Sequence, residues 1–296
     1  MSTVKNYLSL VKFSHTIFAM PFAMIGFFIA IPASNGSMNG LWNIVMVKKL
    51  LLVIICMISA RSAAMAFNRY LDRHFDAKNP RTAIREIPVG ILSAERALLF
   101  VIINCMIFII ATYFLNSICF YLSPIALFVI LFYSFTKQFT ILCHLVLGLG
   151  LSLAPIGAYL AVTGAFNWLP VLFSMAVIFW VSGFDIIYAL QDVDFDQSQK
   201  LYSIPSILGK VKGLRVSELL HLLSSICILL AGLIGSFHWI YWIGVIVFIG
   251  MLIYQHSIVT PTDLSKVNIA FMTANGIASV VFGIIVITAV FLEFGW

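Results

Sequence analysis

The chain is written in long apolar runs separated by short polar stretches. The runs fall at about 16–34, 45–67, 97–115, 117–134, 141–163, 168–190, 217–237, 239–255 and 268–292. Each is close to the roughly 20 apolar residues that a helix needs to cross a bilayer. None shows the ten-residue alternation of a membrane-spanning strand. In lipid, backbone polar groups must be satisfied within the segment, so long continuous runs become helices. The pattern predicts an all-α polytopic membrane protein with nine spanning helices in a bundle. The first run follows Lys5 and Lys12, as a secretory signal would. It is long enough to span and eight more runs follow, so we read it as an uncleaved first helix.

Composition agrees. Hydrophobic residues make up 62% of the 296 and charged residues only 9%, against roughly 25% charged in a soluble domain. A soluble globule could not hide that much apolar surface. This excludes a soluble enzyme, a disordered chain and a nucleic-acid-binding domain; the lipid bilayer is the expected surrounding. The five cysteines all lie in apolar runs without a CxxC pair, which argues against a disulfide framework. The histidines show no HxxxH or HExxH spacing, so a zinc site is not expected.

The few charges are unevenly placed. Arg69, Arg73, Lys78, Arg81, Arg85 and Arg96 follow the second run, and Lys200, Lys210, Lys212 and Arg215 follow the sixth. Lys137 and Lys266 fall on the same side if the N-terminus is inside; Lys48 and Lys49 break the pattern. Positive charge marks the cytoplasmic side, so the expected location is the inner (cytoplasmic) membrane with a cytoplasmic N-terminus. Positive-inside topology does not explain carboxylates there. Yet eight of the eleven acids gather in two clusters on that side: Asp72, Asp76, Glu86 and Glu95, and Asp185, Asp192, Asp194 and Asp196.

A faint repeat relates the clusters. Asp72-x-x-x-Asp76 leads to Ile87-Pro88, and Asp192-x-x-x-Asp196 leads to Ile204-Pro205. This suggests a single domain over 1–296 built from two four-helix halves, about 1–138 and 139–256, plus a final helix. Transporters also use repeats, so the repeat alone does not choose a function.

Asn68, Asp72 and Asp76 are spaced to share one helical face, as are Asp185, Tyr188, Asp192 and Asp196. Carboxylates one turn apart repel unless something lies between them. Magnesium fits, since it takes one or two carboxylates and fills its remaining positions with water and phosphate. Two facing pairs could hold such ions around a diphosphate, with Arg69, Arg73, Lys78, Arg81, Arg85 and Lys137 as candidate contacts to phosphate oxygens. Asp194 points off the acidic face and reads as a solvated residue. Arg61 and Asp185 are charged residues inside apolar stretches, which suggests a site. They could form a structural ion pair, or Arg61 could grip a substrate carboxylate bidentately.

These residues closely resemble the intramembrane prenyltransferases of the UbiA superfamily, in particular its 4-hydroxybenzoate polyprenyltransferase branch. The resemblance covers most of the chain. It rests on Asn68-x-x-x-Asp72-x-x-x-Asp76, then Lys78-Asn79-Pro80-Arg81-Thr82 and Arg85-Glu86-Ile87-Pro88-x-Gly90. It continues through Tyr133-Ser134-x-Thr136-Lys137, His144, Leu147-Gly148 and Ala154-Pro155 to Asp185-x-x-Tyr188-Ala189-x-x-Asp192-x-x-x-Asp196. One departure is Lys137-Gln138, where the family commonly has Lys-Arg.

The resemblance implies nine helices around a cavity with a lateral opening, magnesium dependence, a polyprenyl diphosphate donor and an aromatic acid acceptor. By the same resemblance Asn68, Asp72, Asp76, Asp192 and Asp196 would hold magnesium, and Arg73, Lys78, Arg81 and Lys137 would hold diphosphate. Tyr133 and Tyr188 would face the allylic cation, Asp185 would orient the phenol or accept the ring proton, and Arg61 would hold the carboxylate. The leading acceptor is 4-hydroxybenzoate for a quinone, with a dihydroxynaphthoate for menaquinone as the alternative. A membrane transporter is the alternative from another class.

Overall fold

The computed structural model describes residues 3–11 and 18–295. Among these the regular structure is entirely helical. A short α1 (Thr3–Leu10) precedes α2 (Met20–Asn35) and α3 (Ile44–Leu71); α4 (Arg73–Lys78) follows at once. Then come α5 (Ala94–Leu115), α6 (Ser117–Thr136), α7 (Cys143–Thr163), α8 (Trp168–Ala189) and the short α9 (Val193–Ser198). The chain ends in α10 (Ile204–Gly235), α11 (Ile240–Ile258) and α12 (Asn275–Phe294), the last preceded by a π-helical turn, Ile269–Ala274. Eight helices are long and apolar enough to cross a membrane, and the apolar α2 is the ninth, shorter one. The first predicted run keeps its place, although residues 16 and 17, like Lys12, lie outside the described residues.

One boundary differs from expectation by a full element start. The hydropathy of 217–237 places the seventh helix after Arg215, yet α10 begins at Ile204. Ser203 and Ser206 form a reciprocal capping box there, with Pro205 in the first turn, and such a cap starts a helix whatever its hydropathy. Gly209, at φ 81°, then bends the helix. Lys210, Lys212 and Arg215 lower the hydropathy without stopping it.

Packing is helix on helix. α8 lies between α7 and α10, α3 packs along α5, and α2 packs on both α7 and α12. The core between α2, α8, α11 and α12 is aromatic: Phe22, Trp180, Phe248 and Phe282 are all fully buried in mutual contact. Asn275 supplies the polar link. Its side-chain oxygen accepts from Trp180 Nε1 and Gln255 Nε2, each at 2.8 Å, tying α8 to α11 and α12. In an apolar surrounding such bonds act as glue between helices.

The end of the bundle opposite the acidic clusters accounts for one of the two off-pattern lysines. The carbonyls at the C-terminus of a helix lack the usual helical partners; in α7 Gly164 N donates to Leu160 O at 2.8 Å and side chains supply the other donors. Lys49 Nζ donates to Val162 O at 2.9 Å, and Asn116 Nδ2 donates to Leu160 O at 2.8 Å. Lys49 therefore caps a helix end, a place where a cation is favoured.

The crossing of α2 and α7 rests on a glycine. A Cβ on Gly26 of α2 would lie 2.0 Å from the carbonyl oxygen of Pro155 in α7. Both atoms in conflict would be backbone or fixed to it, so the helices must separate. Gly26→Ala is expected to destabilise the purified protein by about 1–3 kcal/mol, read as a fall in melting temperature in detergent. Gly157→Ala, whose Cβ meets nothing within 4 Å, is expected to leave it unchanged or raise it.

Candidate functional site

Both acidic motifs begin at a break in a helix. α3 stops at Leu71 and Asp72 adopts φ −79°, ψ 1° before α4. α8 stops at Ala189, a 3₁₀ turn covers Leu190–Asp192, and Asp192 adopts φ −105°, ψ 5° before α9. These angles lie in the sparsely used bridge region. At the first break the helical ladder survives: Asp72 N donates to Asn68 O at 2.9 Å and Asp76 N to Asp72 O at 2.7 Å. Asn68, Asp72 and Asp76 therefore keep the common face that their spacing predicts. At the second, the tighter turn separates the roles. Asp192 lines the cavity below it, whereas Asp196 is fully buried behind it.

Each carboxylate has a partner. Asn68 Nδ2 donates to Asp72 Oδ2 at 2.9 Å. Arg85 Nη1 lies 2.6 Å from Asp76 Oδ1, with Arg69 Nη1 4.0 Å from the other oxygen. Arg81 grips both oxygens of Asp192, its Nε at 3.0 Å from Oδ1, and Asn79 Nδ2 adds a bond at 3.2 Å. Lys137 Nζ stands 2.8 Å from Asp196 Oδ1, while Ser203 Oγ donates to Oδ2 at 3.1 Å. Arg81 also donates to the Tyr188 hydroxyl at 2.8 Å. Residues 79–85 are thus clamped to both acidic motifs.

The compensation is uneven. Burial, then the charge of Asp76, pushes Asp72 up to about 6 despite Lys137, Arg85 and Asn68. Burial works against the Arg81 and Lys137 charges, but the facing carboxylates outweigh it and hold both pKa values above their ordinary range. Asp76 Oδ2 and Asp196 Oδ1 are buried without a hydrogen-bond partner; the Lys137 contact to the latter is a close ion pair without hydrogen-bond alignment.

A cavity of about 750 Å³ opens from this layer into the bundle. Asn68, Asp72, Asp76, Arg81, Lys137 and Asp192 line its charged end. Arg61, Tyr133, Asp185 and Tyr188 line the next level, and beyond them the wall is apolar to Leu115, Leu160 and Phe166. Ile125 and Phe166, exposed by 60% and 61%, lie in that wall and mark where it reaches the lipid side.

The placement sorts the candidates. Arg73 and Lys78 do not line the cavity. Arg73 donates to Tyr70 O at 2.6 Å and lies over the Tyr70 ring, and exposed Lys78 reaches Gln199 at 3.4 Å. Arg69 and Arg85 stand closer to the acids than either. Arg61 has no ion-pair partner among the described residues, and its Nε is buried without a bond. The ion pair weighed for Arg61 with Asp185 is not formed; Asp185 has another partner, His144, whose Nδ1 lies 2.6 Å from Asp185 Oδ2. His144, Asn79 and Thr82 join the cavity wall. All three stand in the segments that carry the resemblance, which assigns none of them a role; a polar residue in the first apolar turn of α7 is a further signal for His144. Asp194 is exposed, and Gln138 lines the cavity mouth.

Fold and site together define a multi-pass integral membrane protein with an ionic pocket opening into an apolar chamber. Residues 19–277 match the UbiA prenyltransferase family, and the chain belongs to that family. It is therefore a prenyltransferase, and the transporter reading falls away. It is 31% identical over 222 residues to a 4-hydroxybenzoate octaprenyltransferase of Tolumonas auensis, covering 75% of this chain and 77% of that protein. Among solved structures it resembles a UbiA homolog from Aeropyrum pernix, with TM-score 0.78, 26% identity, and 94% and 98% of the two chains covered. A UbiA homolog from Archaeoglobus fulgidus, bound to DMAPP and Mg2+, shares the fold at TM-score 0.75 and 19% identity, covering 96% and 99%.

Asp192 is 8% exposed, so removing its clamp leaves a charge without compensation. Arg81→Ala is expected to lower stability by about 1–3 kcal/mol. In an Asp192→Asn background the same change costs less, as denaturation of the four variants in one detergent will show.

Proposed function

We propose that the chain transfers a polyprenyl group from polyprenyl diphosphate to an aromatic acid, 4-hydroxybenzoate, in quinone biosynthesis. The observation that carries this is the cavity itself, ionic at one end and apolar at the other, in a chain whose relatives include 4-hydroxybenzoate octaprenyltransferases. A diphosphate suits the layer of Arg81, Arg85 and Lys137, and an isoprenoid tail suits the wall that reaches the lipid side.

The acidic residues fit magnesium. They form two separate pairs, Asp76 Oδ2 is buried without a hydrogen bond, and Asp72, Asp76 and Asp192 all line the cavity. Magnesium takes one or two carboxylates and leaves its remaining positions to water and phosphate. Asp72, Asp76 and Asp192 would hold it, with Asn68 orienting Asp72; Asp196, expected from its spacing to join them, is buried behind the cavity wall and would act by holding Lys137 in place. Bound magnesium supplies the positive charge that makes diphosphate a better leaving group.

The residues of this chain do the rest. Lys137 and Arg81 hold fixed positive charge at the diphosphate. Tyr133 and Tyr188 present ring faces to the allylic cation, and the apolar wall keeps water from it. Arg61, with a free donor edge, binds the carboxylate of the acceptor. Asp185 takes the proton that the phenol or ring gives up as the new carbon–carbon bond forms. The cation bias of the loops supports a cytoplasmic ionic end.

Everted membrane vesicles given a polyprenyl diphosphate, magnesium and 4-hydroxybenzoate are expected to yield a prenylated acid by mass analysis, whereas sealed right-side-out vesicles are not. Asp72→Asn and Asp192→Asn should each lower turnover at least about a hundredfold, on the scale of lost electrostatic stabilisation. Product from a dihydroxynaphthoate alone would reassign the acceptor. Arg61→Ala is expected to raise the acceptor KM about tenfold or more with the donor KM unchanged. An equal rise in both would assign Arg61 to structure.

A further inference from the structure

The His144–Asp185 contact stands apart from the ionic layer and has a defined polarity. His144 is 2% exposed and sits in the first turn of α7, facing Asp185 of α8 at 2.6 Å. Two features of sequence create the approach. Gly148, one turn further along α7, lets the helices close: a Cβ there would lie 2.5 Å from Ile178 O and 2.6 Å from Ser182 Oγ. Ser182 Oγ lies 2.6 Å from Ile178 O and 3.0 Å from His144 O, so its one hydroxyl proton serves both carbonyls at this close crossing.

The other ring nitrogen decides the proton. His144 Nε2 lies 3.3 Å from the backbone nitrogen of Ile204. Ile204 is the first residue of α10, and its N–H is one of the donors that a helix leaves without a partner. A backbone N–H can only donate, so Nε2 must accept and carries no proton. The neutral ring then has its hydrogen on Nδ1, aimed at Asp185 Oδ2. The ring thus presents a single N–H to the carboxylate, and the second oxygen of Asp185 is left for the cavity. The side chain of Asp185 is 25% exposed there, whereas that of His144 is 3%.

We propose that His144 is a positioning residue for the transfer reaction. It holds Asp185 in one orientation and leaves one carboxylate oxygen directed at the hydroxyl of the phenolic acceptor. The acidic residues of the ionic layer are not its partners. Its link to them is structural: Ser203, adjacent to Ile204, donates to Asp196. The N-terminus of α10 is therefore pinned at once to the ionic layer and to the ring that aims Asp185. This inference rests on the acceptor role proposed for Asp185.

The test uses His144→Leu, His144→Asn and Asp185→Asn, singly and with His144→Leu in the Asp185→Asn background. The amide of asparagine can offer an N–H near the place of Nδ1; leucine offers none. In vesicles with polyprenyl diphosphate and 4-hydroxybenzoate, His144→Leu is expected to lower kcat tenfold or more with the donor KM unchanged. His144→Asn should recover at least half of that loss on a logarithmic scale. In the Asp185→Asn background, His144→Leu should cost less than twofold, because residues acting through one contact do not add. Equal costs in both backgrounds, or an asparagine variant no better than leucine, would overturn the proposal.

A second measurement does not depend on turnover. Solid-state NMR of the protein with ¹⁵N-labelled histidine, assigned by the signal lost in His144→Asn, should show Nδ1 protonated and Nε2 bare. The opposite tautomer sinks the proposal even if the enzyme is active. Absence of any prenylated aromatic acid from the wild type, with the expected tautomer present, would instead reject the acceptor chemistry.

Discussion

Four carboxylates crowded at the edge of a bilayer are the constraint around which this bundle is arranged. Each is drawn out of water, and each repels its neighbour one helical turn away. Unpaired buried charge is costly enough that a protein either neutralises it or surrounds it with opposite charge. Here the surrounding charge comes from elements distant in sequence. Arg81 and Arg85 arrive on the segment after α4, Lys137 at the end of α6, and Ser203 at the start of α10. The ionic layer thereby joins both halves of the chain across the mouth of the cavity. The cations that pair with these carboxylates are the groups proposed to meet a diphosphate, so the contacts that hold the layer together are also those a bound diphosphate and divalent ion would exchange.

Below that layer the cavity and the packed core occupy different parts of the bundle. The core among α2, α8, α11 and α12 is aromatic and stitched by Asn275. The cavity is lined instead by α3, α5, α6, α7 and the last turns of α8, with glycines at 150 and 157 in α7 and the exposed Ile125 and Phe166 in its apolar lining. α8 is common to both: Trp180 packs in the core, and Asp185 and Tyr188, further along the same helix, face the cavity.

Much of this was legible in the sequence because the bilayer restricts the solutions. Runs of apolar residues could become only helices, and charges clustered at one interface had to share a layer. The acidic pairs, Lys137, Arg81 and Arg61 could be picked out for that reason. What pattern could not convey was the backbone. Asp72 and Asp192 sit at helix breaks that no Pro or Gly marks, and the 3₁₀ turn at the second break carries Asp196 out of the cavity wall. The capped start of α10 was hidden by Lys210 and Lys212, which lower hydropathy without ending a helix. His144 stood among the residues that carry the resemblance, but its role was hidden: that role lies in a partner 41 residues away and in a backbone N–H 60 residues away.

The single residue joining α5 to α6 has a mechanical consequence. Asn116 caps the start of α6 through Cys119 N and also holds the carbonyls at the end of α7. Three helix ends are thus fastened at one point, and Lys49 fastens the same end of α7 to α3. With no slack between α5 and α6, the lining residue at this end that stands outside a helix is Phe166, in the turn between α7 and α8. Room for a longer isoprenoid would then have to come from that turn, while the three fastened helix ends keep their places.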